Sequence, residues 1–250
     1  MQKEIGWLLK EKYHGNPGPK GYPNFYKDVE RLKVGEPVDY VIGFTEFLKC
    51  KIDLSRKPLI PRPETEFWVS EVVSSLLEDK RRAIRCLDLF SGSGCIAVAV
   101  LAKTSVLLCD IADKQKESLE QAKINCKLNG IDKKRYRVIK SDVFSNIKSK
   151  YDYIFANPPY IPTERSGKVG KSVLKFEPKA ALFGGGDGLF YIRRFLKDAR
   201  EHLVVGGIIF MEFDPPQKKE IEKIIKKYKY SSYEFHRDQY NRWRWVSVAC

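Results

Sequence analysis

Ile221, Ile224, Ile225 and Tyr228 recur at the i, i+3, i+4, i+7 spacing of one helix face, with polar residues between them. Similar patterning predicts helices over 95–103, 114–129, 189–202 and 217–228. Short apolar runs alternate with these helices and read as strands over 84–89, 106–110, 136–140, 151–156, 207–213, 231–235 and 243–249. Strands separated by helices of this length are forced into parallel pairing. The expected fold class is α/β, a doubly wound, Rossmann-like sheet of seven strands.

The front of the chain reads differently. Residues 1–14 predict one short helix with Ile5, Leu8 and Leu9 on a face. Gly15-Asn16-Pro17-Gly18-Pro19-Lys20-Gly21-Tyr22-Pro23 then predicts a break, and a second short helix over 25–34 follows Asn24 as its N-cap. A hairpin is expected over 45–53, and Pro58, Pro61 and Pro63 hold 58–66 extended before helix resumes over 67–77. The expected organisation is a helical N-terminal segment over 1–34, a hairpin and Pro-rich connector over 35–66, and the main α/β domain over 67–250.

Composition narrows the class. With 250 residues, 43% hydrophobic and 12% aromatic, the chain can bury a core, which excludes disorder, collagen and small disulfide scaffolds. The six cysteines show no C-x-x-C spacing and read as reduced, mostly buried thiols, so no metal is expected. No apolar run approaches the ~18 residues of a membrane span, and the start lacks a signal peptide's apolar stretch. A cytoplasmic protein without a membrane partner is expected. The formal charge of +14 suits work near polyanions such as RNA or the ribosome, or a merely solvated basic surface. Charge alone names no ligand.

The first strand runs into Asp88-Leu89-Phe90-Ser91-Gly92-Ser93-Gly94 and then a helix. Gly92 and Gly94 permit a tight turn whose backbone can approach a ligand at the helix N-terminus. Gly92-x-Gly94-x-x-Ala97 also matches the dinucleotide fingerprint, so the loop by itself points only to a nucleoside-bearing cofactor. Asp110, at the end of the second strand, suits ribose hydroxyls in either case.

The fourth strand delivers Asn157-Pro158-Pro159-Tyr160 at its carboxyl end, where ligands bind in such sheets. These residues suit methyl transfer to a planar NH2 group, whose lone pair is spread into a π system. The side-chain oxygen of Asn157 and the carbonyl of Pro158 can each accept one N–H and aim the nitrogen. Pro158 and Pro159 stiffen the loop, and Tyr160 can stack on the planar acceptor. Catalysis is then mainly in-line positioning, which can supply up to ~7–11 kcal/mol. The tetrapeptide resembles one shared by methyltransferases of adenine and cytosine amines, of guanine in rRNA and of protein glutamine, so it leaves the acceptor open.

Asp88-x-Phe90-x-Gly92-x-Gly94 resembles motif I of S-adenosylmethionine-dependent methyltransferases. The resemblance implies S-adenosylmethionine as cofactor and S-adenosylhomocysteine as product. It places Asp88, Phe90, Gly92 and Gly94 at the methionine end, Asp110 at the ribose, and Asp142 and Val143 at the adenine, with Asn157 also beside the cofactor. Residues 35–43 (Gly35 to Gly43), Phe47 and 59–66, which include Arg62 and Thr65, look like the segment preceding the catalytic domain in peptide chain release factor glutamine methyltransferases. Residues 177–189 resemble that family's later signature, and Asp238-x-x-Asn241-Arg242 its ending.

This four-motif resemblance covers about residues 35–250. It implies that residues 67–250 form the methyltransferase domain and that the substrate is the glutamine of the Gly-Gly-Gln loop in a class I release factor. Asn157, Pro158 and Tyr160 are then the catalytic set, and Arg62, Thr65, Asn157, Pro158, Pro159 and Tyr160 line the substrate site. The release factor is the expected partner of a monomer, with no stable nucleic acid. An amino-methyltransferase of rRNA or DNA is the alternative, favoured by charge but without a recognisable nucleic-acid module. Family members carry an N-terminal domain of several helices, whereas about 34 residues precede Gly35 here.

Overall fold

The computed structural model describes residues 1–81, 83–104 and 108–250. Three helices open the chain: α1 (Gln2–Tyr13), α2 (Gly18–Lys33) and α3 (Val38–Ile42). Leu8, Leu32 and Val41 bury against one another as a small core of their own. The predicted break is shorter than expected, because α2 begins at Gly18 rather than 25. Asn16 Oδ1 accepts the Gly18 N–H at 2.9 Å, and Pro19 falls in the first turn, where a missing N–H costs nothing. Pro23 does lie inside the helix.

The antiparallel hairpin β1 (Phe44–Phe47) and β2 (Cys50–Asp53) follows as expected. Its outer backbone is held by amide side chains of α6 (Lys116–Leu128) and the residue after it. Asn125 Oδ1 accepts Asp53 N–H at 2.8 Å, and Asn129 Oδ1 accepts Lys51 N–H at 3.0 Å. The connector is extended only to Arg62, since α4 (Pro63–Glu78) already starts at Pro63. Proline at the first helical position has the right φ and no N–H to waste.

The seven-stranded sheet comprises β3 (Arg85–Leu89), β4 (Leu108–Asp113), β5 (Tyr136–Lys140), β6 (Tyr151–Ala156), β7 (Leu203–Glu212), β8 (Ser232–Arg237) and β9 (Trp243–Ala249), in the order β5-β4-β3-β6-β7-β9-β8. Of the strand expected over 106–110, residues 106 and 107 lie outside the described residues. Pairing is parallel except for β9, which runs antiparallel to both β7 and β8. No helix separates β8 from β9, so the parallel pairing expected of helix-separated strands does not extend to them. A tight turn joins them, with Asp238 Oδ1 accepting the N–H groups of Tyr240 and Arg242 at 3.0 Å each. Asp238 Oδ2 takes Arg244 Nε at 3.0 Å, which accounts for the Asp238-x-x-Asn241-Arg242 pattern as a turn.

Helices α4, α5 (Cys95–Lys103) and α6 pack one apolar cluster against the sheet. Helices α7 (Phe190–Asp198) and α8 (Lys218–Lys227) pack another. Helix α5 is buried from Cys95 through Leu101, which explains why its sequence is apolar on every face. Strand order reverses between β3 and β6, and ligands collect at the carboxyl ends of strands flanking such a point. Among the described residues no helix is long and apolar enough to cross a membrane.

Candidate active site

Two adjoining clefts open at that switch point and share Leu59, Asn157 and Ala181. The first is lined by Phe90, Gly92, Asp113, Asp142, Val143, Pro159 and Tyr191, among others. The second is bordered by Arg62, Tyr160, Arg165, Lys168 and Asp214.

Gly92 donates its N–H to Asp113 Oδ2 at 3.0 Å, and the Gln115 N–H reaches Oδ1 at 2.8 Å. Asp113 ends β4 beside the first cleft, and burial raises its carboxyl pKa against these hydrogen bonds. Sequence reasoning chose Asp110 for this place, and the structure corrects that choice. Asp110 lies three residues earlier on β4 and outside both clefts. Its carboxylate is consumed by Arg85 Nη2, Arg137 Nη2 and Tyr151 Oη, each at 2.8 Å. The usable signal was position: the acid that ends the strand reaches the rim.

The remaining glycine-loop residues divide into wall and frame. Phe90 and Gly92 line the first cleft, and Phe90 packs edge-on against Tyr191 and Phe195. Gly94 does not line it. It caps α5 at φ 75° with a Cβ position only 2.7 Å from Ala122 Cβ, so close helix approach is its function. Asp88 also stands behind the wall. Its Oδ2 accepts the Ala97 N–H at 3.1 Å, and burial pushes its carboxyl up to about 7. Asp142 and Val143 both line the first cleft, and Lys114 and then Arg194 hold Asp142 below the usual carboxylate range.

Asn157 enters both clefts, Pro159 the first and Tyr160 the second. Pro158 is buried and lies outside the residues lining either. The 177–189 segment closes on this tetrapeptide. Ile161 N–H donates to Leu182 O, and Gly184 N–H to Ile161 O, both at 2.9 Å. A Cβ at Gly188 would overlap the Tyr160 carbonyl, which is why a side chain is excluded there. Arg62 borders the second cleft and pairs with Glu177 at 2.7 Å.

Thr65 is 1% exposed, and it lines a third, narrow cleft with Arg62, Phe90, Gly92 and Asn157. Its Oγ1 meets Asn157 Nδ2 at 3.3 Å and Glu212 Oε2 at 2.7 Å. Glu212 was not singled out in the sequence, where it ends a strand like many others.

A protein-family model described as "Methyltransferase small domain" matches residues 69–197. A release factor glutamine methyltransferase of Thermodesulfovibrio yellowstonii is 36% identical over 197 residues, covering 78% of this chain and 70% of the relative. That of Lactococcus lactis subsp. lactis is 32% identical over 220 residues, covering 88% and 79%. Among solved structures, the hMettl16 catalytic domain in complex with the MAT2A 3'UTR hairpin 6 superposes with TM-score 0.63 at 15% identity, covering 81% of this chain and 76% of that one. The ribosomal protein L11 methylase of Lactobacillus delbrueckii subsp. bulgaricus gives TM-score 0.52 at 18% identity, covering 76% and 79%. These two likenesses carry the fold alone. The sequence likeness carries more, and by it the chain belongs to the release factor glutamine methyltransferase family.

Proposed function

We propose that this protein transfers a methyl group from S-adenosylmethionine to the side-chain amide nitrogen of a glutamine, in the Gly-Gly-Gln loop of a class I release factor. The observation that carries the reading is Asn157, the polar side chain standing in both clefts at once. A group held in the second cleft and a group held in the first therefore meet at one amide.

The first cleft fits the cofactor. Asp113 presents a half-buried carboxyl that can meet ribose hydroxyls, Val143 and Tyr191 supply apolar walls for a purine, and a Cβ at Gly92 would meet nothing within 4 Å. The bound cofactor supplies an electrophilic methyl group on a sulfonium. Asn157 Oδ1 accepts an N–H of the acceptor amide and points its nitrogen into the first cleft. Tyr160, with its hydroxyl anchored on Glu212 at 3.1 Å, offers a fixed ring beside the amide plane. No base is needed beforehand, because the proton is lost once the nitrogen has been alkylated. The basic border of the second cleft, Arg62, Arg165 and Lys168, meets the carbonyl-rich backbone of an incoming loop. The protein works as a monomer in the cytoplasm, where its substrate is made.

Incubation with methyl-labelled S-adenosylmethionine and either release factor or rRNA tests the reading. Label on the Gly-Gly-Gln glutamine is expected, and label on nucleic acid alone overturns it.

A further inference from the structure

Glu212 ends β7 at 1% exposure and lies outside the lining of both clefts. Three donors converge on it. Oε2 accepts from Thr65 Oγ1 at 2.7 Å and Trp68 Nε1 at 2.8 Å, and Oε1 from Tyr160 Oη at 3.1 Å. Thr65 Oγ1 also stands 3.3 Å from Asn157 Nδ2.

Elementary chemistry fixes the direction of each bond. The Trp68 N–H can only donate, and Glu212 in its carboxylate form can only accept. Burial opposes that form, and the Thr65 and Trp68 donors, the Arg244 charge and the Tyr160 donor favour it. The Thr65 hydroxyl must therefore give its proton to Glu212, which leaves it only lone pairs for Asn157. Lone pairs are met by the NH2 end of the Asn157 amide, so its oxygen is the end left for the cleft. An asparagine without this constraint can turn over, setting NH2 against the NH2 of an amide acceptor. That arrangement has no hydrogen bond.

We infer that Glu212 is a positioning residue for methyl transfer, dictating through Thr65 which end of Asn157 faces the acceptor and holding the Tyr160 ring beside it. The inference rests on the amide-acceptor reading above. It also explains why Thr65 is buried in a segment that otherwise borders the substrate cleft: it reads the charge of Glu212 and passes a direction to Asn157.

Thr65→Val keeps the shape and removes the hydroxyl, and Thr65→Ser restores it. The measurements are kcat and KM for glutamine methylation, calorimetric affinity for S-adenosylhomocysteine, and the 15N–1H signal of the Asn157 side-chain amide, assigned by its loss in Asn157→Ala. Thr65→Val is expected to lower kcat on the order of 10- to 100-fold by misorienting the acceptor. Affinity for S-adenosylhomocysteine should hold, the Asn157 signal should move, and Thr65→Ser should recover both kcat and signal. Glu212→Met should reproduce the Thr65→Val behaviour, and should it fail to fold, Thr65→Val carries the test alone. Wild-type kcat in Thr65→Val, an unmoved Asn157 signal, or loss of cofactor affinity in step with kcat overturns the inference. If the unaltered protein methylates no glutamine, the functional reading fails, while the Asn157 signal still decides the hydrogen-bond chain.

Discussion

The Gly92 N–H and Asp113 Oδ2 lie 3.0 Å apart, tying the turn after β3 to the carboxyl end of β4. One carboxylate thus shapes the glycine loop and borders the cofactor cleft. Asp113→Ala should weaken S-adenosylmethionine binding on the order of 10- to 100-fold, the worth of a hydrogen bond to a charged group. Asp110→Asn should leave affinity unchanged and lower the melting temperature, since it strips Arg85 and Arg137 of their partner. Calorimetry and thermal melts on the two variants decide between them. Loss of affinity in the Asp110 variant alone would return the ribose to Asp110.

Two glycines of the same loop should fail in different ways. Gly94→Ala places a methyl 2.7 Å from Ala122 Cβ and 3.0 Å from its Cα, at φ 75°. Left-handed strain and overpacking between α5 and α6 together should cost roughly 2–5 kcal/mol in urea denaturation. Gly92→Ala, with φ 52° and open space ahead, should cost only the strain, about 1–2 kcal/mol. Its loss should fall on cofactor affinity, because the new methyl enters the cleft. Equal destabilisation by both would refute this division.

Legibility in the sequence followed the range of the interaction. The strand–helix alternation and the Asn157–Tyr160 tetrapeptide were readable because periodicity and local order carry them. Asp110 was misassigned because both acids of β4 fit the spacing, and only the register with β3 and β5 shows which one reaches the rim. Glu212 was unreadable because its meaning lies in Thr65, Trp68 and Tyr160, which three other segments bring to it. The antiparallel β9 falls outside the rule for helix-separated strands, since no helix stands between it and β8. Prolines misled twice in the same sense, at Pro19 and Pro63, where the first turn of a helix accepts them.

Asp88 gives a pH dependence with a definite sign. Burial, joined by the charge of Asp113, raises its carboxyl from 3.8 to about 7, and Oδ1 has no hydrogen-bond partner. The folded protein keeps a proton that the unfolded chain releases. Its contribution to stability is therefore complete below about pH 4 and lost as pH climbs to about 7, roughly 4 kcal/mol in all. Asp88→Asn can still accept the Ala97 N–H and does not titrate. The melting temperature of this variant, relative to wild type without cofactor, should rise across that window and level off above it. A difference that stays flat with pH would show that Asp88 is not a buried, titrating acid.

Arg62 Nη2 and Glu177 Oε1 meet at 2.7 Å, and Glu177 Oε2 accepts the Ile60 N–H at 3.2 Å. This clasp joins the connector before α4 to the segment that closes on the acceptor tetrapeptide. The two sides are unequal, with the Arg62 side chain 33% exposed and that of Glu177 only 1%. Removing Arg62 strands a buried carboxylate, which after allowance for solvent around the arginine should cost roughly 1–3 kcal/mol. Adding Glu177→Gln to Arg62→Ala removes the stranded charge while an amide oxygen still accepts from Ile60. The double variant should therefore be more stable than Arg62→Ala alone in urea denaturation. Additive losses would mean that the carboxylate is not the source of the cost, and that the clasp is a contact of shape rather than of charge.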